Sequence, residues 1–347
     1  MIDPLSSFAH PKEKMNIMSE NLQSLVPELA NRRILVLGDV ILDEYLFGKA
    51  ERLSREAPIP VLEYQSRRYI PGGAANPAAN IVSLGSEAVQ ATVVGNDDSA
   101  DTLRTQLKER GIDTSSLVIE AGKPTTLKTR IMAQMGLRFP QQIARIDTIS
   151  RKPIGQLIEA ALLSHIQRHL PNVNAILISD YQNGLLTSSV VNLVKQIAVG
   201  QNVPTVVDTQ GALEKYRGFD VIKCNSDDAS AYLGRYLKED DDYAEAAQEL
   251  AETLAVKHAM VITRGGDGAT VAVNGGIEHA ISPNVSDVFD TVGAGDTWIA
   301  VLTLGLVAGA NVVEAAMLAN YASGIVVRHV GNYAPSPEEL LRALASN

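Results

Sequence analysis

The residues with the most chemical content are Asp290-Thr291-Val292-Gly293-Ala294-Gly295-Asp296-Thr297, followed by an apolar run over 298–307. Small residues let backbone N–H groups approach a ligand closely. A glycine-rich turn that opens a helix adds unpaired amides and a favourable dipole, which suit an anion such as phosphate. Asp296 is the odd member, because a carboxylate beside bound phosphate is unfavourable unless it has a task. The fitting task is to take the proton from an attacking hydroxyl while the amides of Gly293, Ala294 and Gly295 hold a transferring phosphoryl group. A tight turn with Asp296 capping the helix is the competing reading. On these residues alone both stand.

Other polar groups fall where strands must end. Ile34-Leu35-Val36-Leu37-Gly38-Asp39 reads as a buried strand of a parallel sheet. It sets Asp39 and Asp43 just past its C-terminal end, where ligands sit in open α/β sheets. Pro71-Gly72-Gly73-Ala74-Ala75-Asn76 predicts a close-approach loop ahead of a helix. Asn76 offers an acceptor and donors to a polyol; capping and close helix packing explain Gly72 and Gly73 almost as well. Residues 44–70 read as extended chain at the edge of a smaller sheet. Residues 125–135 and 141–146 read as a hairpin turned near 136–140, with Lys128 and Arg130 on one strand face. Two cations there suit an anion or an acidic partner, or simply water. Segments 44–70 and 120–146 together predict a small sheet over the site.

A strand at 91–95 and a helix at 99–110 precede a more regular rhythm. Helices at 153–170, 188–198, 226–233 and 243–256 alternate with strands at 175–179, 205–208, 221–224 and 259–263. This implies right-handed βαβ units and a mostly parallel sheet. A hairpin over 269–273 and 277–281, around Asn274-Gly275, and helices at 297–308 and 311–328 complete the body. Asp180, Asp208, Asn225 with Asp228, the stretch from Thr263 to Gly268, and the 290–296 turn all follow strands. Five such groups on one edge predict a crevice, with carboxylates for Mg2+ and amides for phosphate. The 263–268 stretch serves equally well as a hairpin turn. Neither G-x-G-x-x-G after the first strand nor G-x-x-x-x-G-K-[ST] occurs, so phosphate falls to the amide-rich turn. The expected organisation is an N-terminal extension over 1–30, with a short helix near 20–29, and one α/β domain over 31–345.

Composition narrows the function classes. The 347 residues are 46% hydrophobic and 20% charged, as in ordinary globular proteins, with a formal charge of −10 that argues against nucleic acid as a partner. The single cysteine, Cys224, rules out an internal disulfide and a cysteine-rich metal site. Residues 1–20 lack the apolar core of a signal peptide, and the apolar stretch 300–310 is too short to span a bilayer. A cytoplasmic protein without membrane partners is expected. The six histidines show no zinc-ligand spacing.

These motifs together resemble the ribokinase-like (PfkB) carbohydrate kinase family, from residue 33 to 341. One signature is Gly72-Gly73-Ala74-Ala75-Asn76-Pro77-Ala78-Ala79-Asn80, and the other is Asp290 to Thr297. The resemblance implies a ribokinase-like three-layer sandwich with a mostly parallel central sheet and a small β-sheet lid. It implies an ATP- and Mg2+-dependent sugar kinase in which Asp296 is the base and Gly293, Ala294 and Gly295 the anion hole, assisted by Arg264 or another nearby cation. Asn225 and Asp228 match the family's N-x-x-E motif for Mg2+ and phosphate, with aspartate replacing glutamate and so a reach through one more water. Thr263, Arg264, Gly266, Gly268 and Asn320 would lie about the nucleotide.

Within the family the chain is most similar to the kinase domains of bifunctional heptose-7-phosphate kinase/ADP-heptose synthases. The matching stretches are Gly38 to Asp43, Ser54 to Val61, Lys128-Thr129-Arg130, Arg145-Ile146-Asp147 and Ser179-Asp180-Tyr181. By that likeness Asp39, Gly72, Gly73, Asn76, Lys128 and Arg130 would meet the sugar, and Asp43 and Asp180 are expected as further substrate-binding residues. The implied reaction converts D-glycero-β-D-manno-heptose 7-phosphate to the 1,7-bisphosphate. Asn183 and Gln210 stand where that branch carries lysines, which keeps open a different, unphosphorylated sugar or a nucleoside. A catalytically inactive sugar- or nucleotide-binding protein is a third reading. No H-x-G-H motif of a nucleotidyltransferase occurs, so a kinase unit alone is expected. Pairing of two copies through the lid would cover its edges.

Overall fold

A computed structural model describes residues 11–136, 139–273, 276–280 and 288–346. Helix α1 (Pro11–Glu28) leads into β1 (Arg33–Gly38), and the chain turns through Asp39 directly into the long strand β2 (Val40–Leu53). After β3 (Pro60–Gly73) come α2 (Ala75–Ser83), β4 (Glu87–Val94), α3 (Asp98–Glu109), β5 (Asp113–Ile119), β6 (Leu127–Gln134) and β7 (Gln141–Thr148). Helix and strand then alternate: α4 (Gln156–His169), β8 (Ala175–Asp180), α5 (Ser188–Gln201), β9 (Thr205–Thr209), β10 (Val221–Asn225). Next are α6 (Ser226–Leu233), α7 (Asp240–Thr253), β11 (Ala259–Thr263), β12 (Ala269–Val273) and β13 (Gly276–Ala280). Helices α8 (Ala294–Ala308), α9 (Val312–Val326) and α10 (Pro337–Ala345) close the chain.

The larger sheet has nine strands in the order β13-β12-β11-β10-β9-β8-β1-β4-β5, and every pairing is parallel except β11–β12 and β12–β13. Its strands read as unbroken apolar runs because both faces are covered. Ile34 and Val36 of β1 join the core formed with α1, α2, α3, α8, α9 and α10, while Leu35 and Leu37 join the core formed with α4, α5, α6 and α7. Successive side chains of a strand point to opposite faces, so one tetrapeptide supplies both cores. This is the three-layer α/β sandwich expected from the sequence.

The second sheet has four strands in the order β3-β2-β6-β7, with β2 and β6 parallel. Since β1 runs through Asp39 into β2, that carboxylate stands at the junction of the two sheets.

Several local expectations change. Helix α1 starts at Pro11 and is longer than expected. Strand β5, Asp-Thr-Ser-Ser-Leu-Val-Ile, is too polar to show a buried run because it forms the edge of the sheet. Helix α10 adds an element beyond the expected ones, and Ser336 and Glu339 form a capping box at its start. Gly72 and Gly73 end β3 and pair with Ile41 and Val40 instead of forming a loop. The two hairpin turns, at 137–138 and 274–275, and Ile281 lie outside the described residues, as do residues 1–10 of the N-terminal extension.

Candidate active site

The start of α8 forms one wall of the site. Gly293 takes a left-handed conformation (φ +81°) as the residue before the helix. Asp290 fixes the approach by accepting from the Val292 amide at 3.0 Å and the Gly331 amide at 2.8 Å. The Ala294 amide makes a long bond of 3.3 Å to the Thr291 carbonyl. The start of α8 borders a cavity of about 980 Å3 whose lining includes Gly293, Ala294, Gly295 and Asp296.

Asp296 is 8% exposed. Burial pushes its carboxyl up to about 6, while hydrogen bonds from Asn76 and Tyr181 and the charge of Lys223 pull the other way and Asp208 adds to the rise. Asn76 Nδ2 donates to Oδ2 at 3.0 Å, and the Tyr181 hydroxyl donates to Oδ1 at 2.7 Å. A carboxylate so placed is ionised at neutral pH and still basic enough to accept a proton. Its side chain does not cap α8; the sequence left that question open.

Asp39 accepts from the amides of Tyr181 and Asn183, both at 3.1 Å, and so holds the loop that carries Tyr181. Burial pushes its carboxyl up to about 6, against the pull of those amides and of Lys123 and with a further push from Asp180. Asp43 is paired with Arg130 and also accepts from Asn332 Nδ2 at 3.2 Å. A Cβ on Gly72 would collide with the Asp43 carboxylate, and one on Gly73 with the Asp39 carbonyl, which is why two glycines are needed here. Lys128 lies 6.0 Å from the Tyr181 ring centroid, and burial lowers the pKa of its ammonium. Asp39, Asp43, Gly72, Gly73, Asn76, Lys128 and Arg130 are thus brought into one neighbourhood. Asp180 is not free in it: the carboxylate is taken by Lys215 at 2.6 Å, the Tyr216 hydroxyl at 2.6 Å and the Gln182 amide at 2.8 Å.

The rest of the cavity is built from strand ends. Thr263, Gly266, Gly268, Asn225 and Asn320 line it. Asn225 caps α6 by accepting from the Asp228 amide at 2.8 Å. Asp228 Oδ2 is buried without a hydrogen-bond partner among the described residues, and burial raises its carboxyl, with Lys223 opposing. Asp228 itself is not among the residues that line the cavity, although its neighbours Ser226 and Asp227 are. No group of three or more metal-ligating side chains occurs among the described residues.

Arg264 is not at this site. Its guanidinium pairs with Asp240 at 2.6 Å and stacks 4.3 Å from the Tyr243 ring centroid, both on α7. Among the described residues that line the cavity, the cation is Lys223, buried in β10 and 2.8 Å from Asp208 Oδ1. A Cβ on Gly295 would lie 3.5 Å from its Nζ. Burial works against its charge, but the charge and hydrogen bond of Asp208, with the charge of Asp296 added, outweigh this and raise its pKa. A lysine inside an apolar strand, two residues before Asn225, is the signal that could have found it. Tyr181 and Asn332 gave none on their own, since their roles arise from contacts distant in sequence.

An α/β sandwich with a glycine-led helix start, a buried carboxylate in its first turn and a small second sheet is the architecture of an ATP-dependent carbohydrate kinase. The chain belongs to the pfkB family of carbohydrate kinases, which it matches over residues 31–339. It is 37% identical to the bifunctional protein HldE of Geobacter sulfurreducens over 326 residues, covering 94% of this chain and 65% of that protein. It is 36% identical to the HldE of Hyphomonas neptunium over 329 residues, covering 94% and 66%. The chain therefore spans about two thirds of the length of these relatives. In fold it is similar to Arabidopsis thaliana ribokinase complexed with ribose and ATP (TM-score 0.70, 17% identity, 91% of this chain and 99% of that one). It is likewise similar to phosphofructokinase-2 from Escherichia coli in complex with potassium (TM-score 0.72, 19% identity, 91% and 99%). No helix among the described residues is long and apolar enough to cross a membrane.

Proposed function

We propose that this chain transfers the γ-phosphoryl group of ATP to D-glycero-β-D-manno-heptose 7-phosphate, giving the 1,7-bisphosphate. The observation that carries the reading is the buried Asp296 carboxylate at the first turn of α8, held by Asn76 and Tyr181 beside the Gly293–Gly295 turn. In this reading Asp296 accepts the proton of the sugar hydroxyl as its oxygen bonds to the γ-phosphorus. The bond from phosphorus to the β,γ-bridging oxygen breaks, and its electron pair leaves with ADP. The first-turn amides of α8 and the Lys223 ammonium meet the charge on the phosphoryl group. Asn225 and Asp228 would hold Mg2+ through water; the ion's contribution is to neutralise phosphate charge.

Asp39, Asp43, Gly72, Gly73, Lys128 and Arg130 would form the sugar side. The four-stranded sheet would act as a lid over it and limit hydrolysis of ATP by water. The likeness to HldE at 36–37% identity supports the heptose, as do the Lys128-Thr129-Arg130 and Arg145-Ile146-Asp147 stretches. We further propose residues 31–345 as one kinase unit acting in the cytoplasm. Strand β7 is exposed along its whole length, which supports a homodimer formed through the lid; a monomeric mass at working concentration would count against it.

One observation favours a second reading. Gln210 lines the cavity and Asn183 contributes its backbone amide to Asp39, where lysines would supply charge for a sugar phosphate. An unphosphorylated sugar or a nucleoside would suit this pair. Turnover of ATP against a panel containing heptose 7-phosphate, free sugars, hexose phosphates and nucleosides separates the two. The first reading expects the heptose phosphate to be the best acceptor; best turnover with a neutral acceptor would favour the second.

A further inference from the structure

Asn332 lies between α9 and α10, outside both signatures, yet its one amide joins three parts of the site. Its Nδ2 donates to Asp43 Oδ2 at 3.2 Å and to the Pro71 carbonyl at 3.1 Å, both in the four-stranded sheet. Its Oδ1 accepts a long bond of 3.4 Å from Asn76 Nδ2, the same nitrogen that donates to Asp296 at 3.0 Å. A Cβ on Gly293 would come within 2.9 Å of Asn332 Oδ1, so the amide also packs on the turn that starts α8. The other oxygen of Asp43 is held by Arg130. The segment itself is pinned, by the Gly331 amide on Asp290 and by the His329 ring stacked 3.8 Å from that of Tyr333.

We propose that Asn332 is a positioning residue that couples the sugar side of the site to the general base, along the chain Arg130–Asp43–Asn332–Asn76–Asp296. A primary amide suits this place because it carries a donor and an acceptor on one rigid plane. An aspartate would set a second charge against Asp43, and an alanine would leave both Asn76 and Asp43 short of a partner. The consequence is that a ligand engaging Arg130 or Asp43 alters the alignment of Asn76 on Asp296 without touching either.

The catalytic part of this inference rests on the kinase reading, so the test has one arm that does not. Asn332→Ala, Arg130→Ala and the double variant are compared with wild type in sugar-dependent kcat and KM. In substrate-free protein, the Asp296 carboxyl is titrated by carbon-13 NMR. The groups facing that carboxyl are Asn76, Tyr181, Asp208 and Lys223, and none is altered. Loosening Asn76 removes support from the ionised form, so Asn332→Ala should raise the titration midpoint. It should lower kcat about tenfold while changing the KM for ATP less than about twofold. Arg130→Ala should then add much less in the Asn332→Ala background than alone, since coupled sites are not additive. An unchanged midpoint, or two independent effects on kcat, overturns the coupling. If no acceptor is turned over by wild type, the kinase reading fails while the titration still decides the coupling. Should Asn332→Ala not fold, Asn332→Ser serves both arms.

Discussion

The Tyr181 hydroxyl bonds to Asp296 Oδ1 at 2.7 Å, and the Tyr181 amide bonds to Asp39 Oδ2 at 3.1 Å, so one residue ties together two buried carboxylates. Donation to the charged form of a carboxyl lowers its pKa, and burial already holds Asp296 at about 6. Tyr181→Phe should therefore raise it further and move the acid limb of kcat to higher pH, by up to about one unit. Measured across pH, the variant should be several-fold slower on the acid side and approach wild type on the alkaline side. A uniform loss at all pH values would assign Tyr181 to substrate binding instead.

Lys223 and Asp208 form a buried pair with side chains 7% and 14% exposed. Removing one partner leaves the other charge unpaired, which costs about 3–5 kcal/mol in such settings. Lys223→Met should lose stability on that scale, and Asp208→Asn added to it should recover much of the loss in a denaturant titration. Activity should behave differently. If Lys223 meets the transferring phosphoryl group, kcat falls by about 100- to 1,000-fold and the second substitution does not restore it.

Gly293 and Gly309 bracket α8, both with positive φ, but only the first is crowded. A Cβ on Gly293 would lie 2.5 Å from Asn76 Nδ2 and 2.9 Å from Asn332 Oδ1, whereas one on Gly309 would meet nothing within 4 Å. Gly309→Ala should cost about 1 kcal/mol from backbone strain alone, with kcat unchanged. Gly293→Ala should lose most activity because it pushes Asn76 off Asp296. Equal kinetic effects would remove the case for crowding.

Asp39 and Asp296 both have carboxyls raised from an ordinary 3.8 to about 6. Each therefore favours the folded state when protonated. That advantage is complete below 3.8 and is lost as pH rises through about 6. A rise of roughly two pH units corresponds to about 3 kcal/mol per group. Asp296→Asn should accordingly be more stable than wild type above neutrality, by about 1–3 kcal/mol, and lose that advantage below about pH 4. Thermal melts at the two ends of this range check the sign. Greater stability of the variant only at low pH would contradict it.

Much of the fold was legible because buried parallel strands are apolar on both faces; Ile34 to Leu37 alone announced two helical layers. What escaped was edge or amphipathic structure, as in β5 and α10, where one face is wet and the apolar signal is diluted. The site divides along similar lines. Asp296, Gly293 and Asn76 sit in compact motifs that single them out, although the motifs alone leave a capping or packing role open. Lys223 was marked by its charge within a strand, but its pairing with Asp208 depends on strand order. Arg264 shows the same limit: Gly266 nearby lines the cavity, while the Arg264 guanidinium pairs with Asp240 and stacks on Tyr243 of α7. Sequence adjacency does not fix where a long side chain goes. Asn332 joins residues 43, 71 and 76 across the whole chain, a contact no local pattern encodes.

The most direct test of the account is ATP consumption with the acceptor panel, run for wild type beside Asp296→Asn. The account expects acceptor-dependent turnover by wild type, best with heptose 7-phosphate, and a loss of about 100-fold or more in Asp296→Asn with nucleotide affinity retained. Turnover that survives the substitution would contradict Asp296 as the proton acceptor and, with it, the mechanism drawn from the start of α8.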